Sequence, residues 1–292
     1  MTLDALAVEF RKNYMIKRLR QTTIAGYNVN LKNHVLPIIG TISLDELQVS
    51  HLDLITDELQ DKGLSNKSIV YCHAVTRKML NYAVKRGYIS VNPYAMFDLP
   101  RIQQFRYTVI TPDQLAILAE TARDRCPDMY PAIVLAGFYG MRRGEVLGVI
   151  PSRDYRGGVL SVERTRTVIG ARTIITPCKT DHSQRQLLIA PEHREIFACC
   201  PVGAYLVEFS PCVLNNGFRR LLALCDMPPM RFHDLRHSYA TWMLAENVNP
   251  KIVSAVLGHA NVGITLDIYS HPNVSMQAAC LDAMRRQNKK TE

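Results

Sequence analysis

Five side chains spread over about 130 residues have the types and spacing to act on a phosphate. Arg142 lies in Gly140-Met141-Arg142-Arg143-Gly144-Glu145, and His233 and Arg236 in His233-Asp234-Leu235-Arg236. His259 follows Leu257-Gly258, and Tyr269 comes ten residues after it. A guanidinium grips two non-bridging phosphate oxygens at once and stays charged near neutrality. An imidazole can hold or move a proton at working pH. A phenol beside them is a candidate nucleophile toward phosphorus. Its unperturbed pKa of about 10 means that Tyr269 needs neighbouring cations, or a base, to attack. The spacing of three sets His233 and Arg236 on one helix face. Arg142 opens a helix after Gly140, where backbone N–H groups and the guanidinium could share one phosphate. A plain surface arginine at that end would meet the unfavourable pole of the helix dipole.

These residues need elements to bring them together. Residues 1 to about 100 read as a bundle of four short helices. Thr2 caps the first, which presents Leu6, Phe10 and Tyr14; the second follows Thr22 and stops at Pro37 and Gly40. The third runs from about Ser50 to Gly63, and the fourth from Ser65 to Gly87. Asn92-Pro93 and Leu99-Pro100 break the pattern, so a domain over 1–103 is expected, with a linker to about 109 and a second domain over 110–292. Thr111-Pro112-Asp113-Gln114 then starts a helix with a capping box. Between Val159 and Ile189 the pattern turns β-branched, which predicts one small antiparallel sheet among helices. The expected fold is mostly α with that sheet: a helical bundle followed by an α+β domain.

The totals limit the function classes. The chain has 292 residues and a net charge of +9. That length allows two cored domains, and that charge favours a polyanionic partner. No apolar run reaches the roughly 20 residues of a bilayer span, and the N-terminus lacks a secretory pattern, so a cytoplasmic protein is expected. The eight cysteines form no C-x-x-C pair. Reduced thiols, rather than disulfides or zinc ligands, are the expectation. With no P-loop and no acidic cluster for paired metal ions, no cofactor is expected.

Taken together, the boxes resemble the tyrosine recombinase (integrase) family, of the phage or conjugative-transposon type. Gly140 to Glu145 resembles the family's T-G-x-R box, with Tyr139 where threonine is usual, and His233 to Arg236 its H-x-x-R box. Cys178-Lys179-Thr180-Asp181-His182-Ser183-Gln184-Arg185 is similar to the K-T-x-x-S-x-R hairpin that carries the family's catalytic lysine. The resemblance covers nearly the whole chain, the first domain looking like the core-binding domain and the second like the catalytic domain. It implies site-specific cleavage and rejoining of double-stranded DNA through a 3′-phosphotyrosine, with integration and excision of a mobile element as the expected task. Tyr269 would be the nucleophile and Lys179 would protonate the departing 5′-oxygen. Arg142, Arg236 and His259 would stabilise the phosphate oxygens, and His233 would assist proton transfer.

The resemblance also implies a homo-oligomer on DNA, a tetramer, with accessory DNA-bending or directionality factors as possible partners. The tail after Tyr269, with Ala278, Leu281 and Met284 at helical spacing, suits docking on a neighbouring copy as well as packing on its own domain. Arg20, Thr22, Lys67, Arg77, Arg143 and Arg185 are the expected DNA contacts, and the two domains are expected to clamp the duplex. The chain begins at the bundle, so the arm-site module of many integrases is absent by nature or by truncation. Three rivals stand beside this reading: an Xer-like chromosome-resolving recombinase, a type IB topoisomerase-like enzyme, and a helical DNA-binding regulator without catalysis.

Overall fold

A computed structural model describes residues 1–102, 107–170, 172–178, 183–198 and 200–268. The chain divides into two units, Met1–Phe105 and Arg106–Glu292, each with its own apolar core.

In the first unit the Thr2 hydroxyl accepts from the Ala5 N–H (3.3 Å) and starts helix Leu3–Phe10. The helix runs on through a π-helical turn, Arg11–Met15, to Arg18. Helix Gln21–Asn30 continues likewise through the π-helical turn Leu31–Val35 into Leu36–Ile39. Its cap position is held by Arg20 in extended conformation, which leaves Thr22 inside the first turn rather than before it. Helices Val49–Asp61 and Asn66–Arg86 complete the bundle, the latter capped by Ser65 and stopped by Gly87 at φ 74°. Leu3, Leu6, Phe10, Leu52, Ile55 and Met79 are fully buried, because helical spacing puts them on inward faces. Polar groups share that core, Thr76 and His73 among them. The ring of His73 has no exposure and is bonded on both nitrogens, to Tyr94 Oη (2.7 Å) and Thr56 Oγ1 (3.0 Å).

In the second unit Thr111 and Gln114 form the capping box of helix Pro112–Arg125, with bonds of 2.8 and 3.2 Å. Helix Tyr130–Gly137 is apolar all round and buried at every position but Pro131. Among the described residues the strands form two antiparallel sheets, where the β-branched pattern suggests one. Tyr155–Arg156, Val159–Val162 and Arg185–Leu188 make the first, and Arg164–Ile169 with Arg172–Pro177 the second. Glu163 separates the ladders. Just past it lie two buried arginines that periodicity does not register. Arg164 donates to Asp154 (2.8 Å), and Arg166 to the carbonyls of Val207 and Phe209, so this strand answers to charged partners as well as to its apolar face. Helices Pro211–Leu224, Asp234–Ala245, Pro250–Leu257 and Val262–Ile268 follow.

Candidate active site

Gly140 makes the first turn of the site. Its φ of 61° is left-handed, and an added Cβ would come within 2.5 Å of Leu257 Cδ2. Only glycine meets both conditions. The turn delivers Arg142 to the N-cap of helix Arg143–Leu147. There the Glu145 carboxylate accepts from the Arg142 backbone N–H (2.8 Å) and from its Nη1 (2.7 Å). A side-chain carboxylate therefore occupies the helix end that the sequence offered to a phosphate. Glu145 also accepts from Arg185 Nη2 (2.9 Å), and is 1% exposed. Burial alone would raise this carboxyl, but the bond and charge of Arg185, with Arg142 behind it, hold it below the usual range. Glu145 is thus an anionic hub that aims two guanidiniums.

Arg236 is fixed still more tightly. It is 3% exposed, with Nη1 on the Gly140 carbonyl (2.7 Å) and Nη2 on that of Leu257 (2.8 Å). Burial, with Arg142 adding, pushes it down to about 9, still charged at neutrality. Helix Pro250–Leu257 ends at Gly258, φ 67°, whose carbonyl takes Arg142 Nη2 (2.6 Å). Both arginines are therefore pinned to the helix end that presents His259. His259 Nδ1 lies 2.8 Å from Thr265 Oγ1. His233 stands at the N-cap of helix Asp234–Ala245, its ring edge-on to His237 at 4.9 Å. Burial, aided by Arg236, pushes both histidines down, His233 to about 4 and His259 to about 3, so both rings are neutral at pH 7.

These groups line one cavity of about 330 Å³: Arg142, His233, Arg236 and His259, with Tyr107 and His237 beside them. A second cavity, of about 560 Å³, shares Arg142 and His233 and adds Arg143, Asn215, Arg219 and Arg231. An anion entering the first meets two guanidiniums and two uncharged imidazoles.

Residues 109–276 match the phage integrase family, and residues 2–59 its N-terminal SAM-like domain. The chain belongs to the phage integrase family. Similar curated proteins are tyrosine recombinases. One is the XerC-like recombinase of Caldanaerobacter subterraneus, 23% identical over 92% of this chain and 80% of that protein. Another is Staphylococcus aureus XerD, 24% identical over 94% and 96%. Among solved structures, the Tn1549 transposon integrase in complex with transposon right end DNA has a TM-score of 0.81 at 20% identity, covering 98% of this chain and 100% of that one. A lambda integrase tetramer bound to a Holliday junction has a TM-score of 0.70 at 17% identity, over 92% and 77%. Those likenesses show the integrase fold.

Four of the six expected catalytic residues of this integrase-family chain thus converge, though they come from three separate segments. Lys179 and Tyr269 lie outside the described residues. Arg20, Thr22, Lys67 and Arg77 are exposed on the first unit, and Arg143 is half-buried at the second cavity. Arg185 was expected on the DNA surface, but its side chain is only 6% exposed and is engaged by Glu145. Sequence reasoning passed over Tyr107 and Thr265. Tyr107 lies against His237, ring centroids 3.9 Å apart and planes tilted by 33°, from a stretch without periodicity, and no local signal marks it. Thr265, wholly buried, carries only the weak signal of a hydroxyl six residues after His259.

Proposed function

We propose that this chain is a site-specific DNA recombinase that integrates and excises a mobile element through a phosphotyrosine intermediate. The observation that carries this is the convergence of Arg142, Arg236, His233 and His259 on one cavity. The scissile phosphate binds between the two guanidiniums, whose fixed forks hold its non-bridging oxygens as negative charge builds. Tyr269 Oη attacks phosphorus in line. Its proton passes to neutral His233, which has a lone pair to take it because burial keeps the ring unprotonated. The bond to the 5′-oxygen breaks, and Lys179 supplies that oxygen's proton. A 5′-hydroxyl from the partner strand reverses the sequence, conserving the bond energy. Flanking DNA crosses the second cavity, where Arg143, Arg219 and Arg231 offer contacts to neighbouring phosphates. Double-stranded recombination sites are thus the substrate, and a tetramer of this chain on DNA is the working assembly, as in the lambda integrase complex.

Tyr269→Phe tests the reading directly. With a nicked recombination-site duplex, the native chain should yield a protease-sensitive covalent adduct. The variant should bind normally and yield none. An adduct from the Phe variant would put the nucleophile elsewhere. The likeness to XerC and XerD tyrosine recombinases supports a second reading, an Xer-like chromosome-resolving recombinase using the same chemistry. Recovery of an excised circle carrying this gene decides for the mobile element.

A further inference from the structure

The His259 ring is held from behind by the hydroxyl of Thr265. Thr265 sits on helix Val262–Ile268 with no exposure, while its neighbours Ile264 and Leu266 are each about half exposed (48% and 49%). Thr56 divides its hydroxyl between the Leu52 carbonyl (3.4 Å) and His73 Nε2 (3.0 Å). Two other helix threonines turn their hydroxyls back to the carbonyl four residues earlier, Thr76 to Cys72 (2.9 Å) and Thr241 to His237 (2.9 Å). Thr265 instead meets His259 Nδ1 at 2.8 Å. With Nδ1 occupied on the buried side, Nε2 is the ring nitrogen left for the cavity that His259 lines with Arg142 and Arg236.

A neutral imidazole carries one N–H, and the partner of one nitrogen decides which one carries it. If the threonine O–H donates to Nδ1, the proton must sit on Nε2 and point at the phosphate. In the other tautomer an Nε2 lone pair would face the non-bridging oxygens and repel them. We infer that Thr265 is a positioning residue that holds His259 as its Nε2–H tautomer, so that an uncharged ring donates a hydrogen bond to the scissile phosphate. This would let His259 help bind the anion without becoming a cation between two guanidiniums, where its protonation is disfavoured. The inference rests on the recombinase reading for its consequence, though not for the tautomer itself.

The test pairs two variants with two readouts. Thr265→Val keeps the shape and removes the hydroxyl, whereas Thr265→Ser keeps the hydroxyl. In full-length protein with ¹⁵N-labelled histidine, the native chain and Thr265→Ser should show His259 protonated at Nε2, and Thr265→Val a shift toward the Nδ1–H form. DNA cleavage by Thr265→Val should fall about 10- to 100-fold, the cost typical of losing an outer-shell orienting partner, with binding nearly unchanged and with rescue in Thr265→Ser. A native His259 found as the Nδ1–H tautomer would overturn the inference. So would a Thr265→Val protein that keeps the native tautomer, or a Thr265→Ser protein as impaired as Thr265→Val, since packing alone would then explain the contact. If the native chain does not cleave DNA at all, the recombinase reading fails, yet the spectrum still reports on the tautomer.

Discussion

Arg236 shows how much of the site depends on one side chain's shape. Its two terminal nitrogens span the carbonyls of Gly140 and Leu257, which come from different segments, and still leave a cationic face toward the cavity. A lysine keeps the charge but cannot bridge both carbonyls, because its ammonium is a single point on a flexible stem. Arg236→Lys should therefore lower strand cleavage roughly 100-fold or more, comparable to removing one oxyanion-hole donor. Single-turnover cleavage measures it, and a near-native rate would remove Arg236 from phosphate stabilisation. Lys179 is tested by leaving-group chemistry. A substrate with sulfur at the 5′-bridging position expels a thiolate, which needs no proton. Cleavage by Lys179→Ala should be restored on that substrate, and cleavage by Arg142→Ala much less so, since the proposed task of Arg142 is charge stabilisation at the non-bridging oxygens. Equal rescue of both variants, or of neither, would return Lys179 to the rank of a backbone contact.

At the scale of elements, helix ends do most of the positioning. The end of Pro250–Leu257 offers two carbonyls to two arginines, and the start of Arg143–Leu147 is closed by Glu145. In the first unit a buried polar link has an equally local consequence. His73 joins helix Asn66–Arg86 to Thr56 on helix Val49–Asp61 and to Tyr94 in the chain leaving the bundle. Burial pushes it from 6.5 down to about 4. The unfolded chain thus binds the extra proton between those values, and stability is lost as pH falls through that window. The linkage amounts to on the order of 3 kcal/mol at the acid end. Urea unfolding of residues 1–105 should show a midpoint that drops between pH 7 and pH 4.5, with a smaller drop in His73→Gln. Equal drops would assign the acid sensitivity to other groups.

For the whole molecule, the informative fact is that two cores are complete within separate units. Each half should therefore fold and be measurable by itself. The first carries exposed Arg20, Lys67 and Arg77, while Arg18 and Lys78 gather around the Tyr14 ring at 5.8 and 5.7 Å. Residues 1–105 are expected to bind duplex DNA weakly and with a steep salt dependence. The joined chain should bind far more tightly, because the second unit's contacts then form at high effective concentration. Gel shifts of each half and of the full chain across salt concentration test this. A catalytic half that equals the full chain at every salt would exclude a shared grip.

The four residues that meet at the cavity were legible as candidates in the sequence because their signals are local. His233 and Arg236 are three apart on one helix, and Leu257-Gly258-His259 marks a helix stop whose glycine adopts the left-handed conformation expected there. The bundle helices were legible too, since caps such as Ser65 and Thr111 and apolar spacing act within a few residues. Other features required contacts distant in sequence. Arg185 is paired with a carboxylate 40 residues away, which turns an apparent surface cation into part of the site's interior. The sheet is divided where buried arginines find Asp154 and the carbonyls of Val207 and Phe209. Thr265 faces a ring rather than its own backbone. Periodicity reports which face of an element is apolar, but the partner of a buried charge or hydroxyl depends on what the rest of the chain brings near it. Local spacing sets the elements and supplies the reactive groups, whereas packing between distant segments sets which of those groups line the cavity and which hold the others in place.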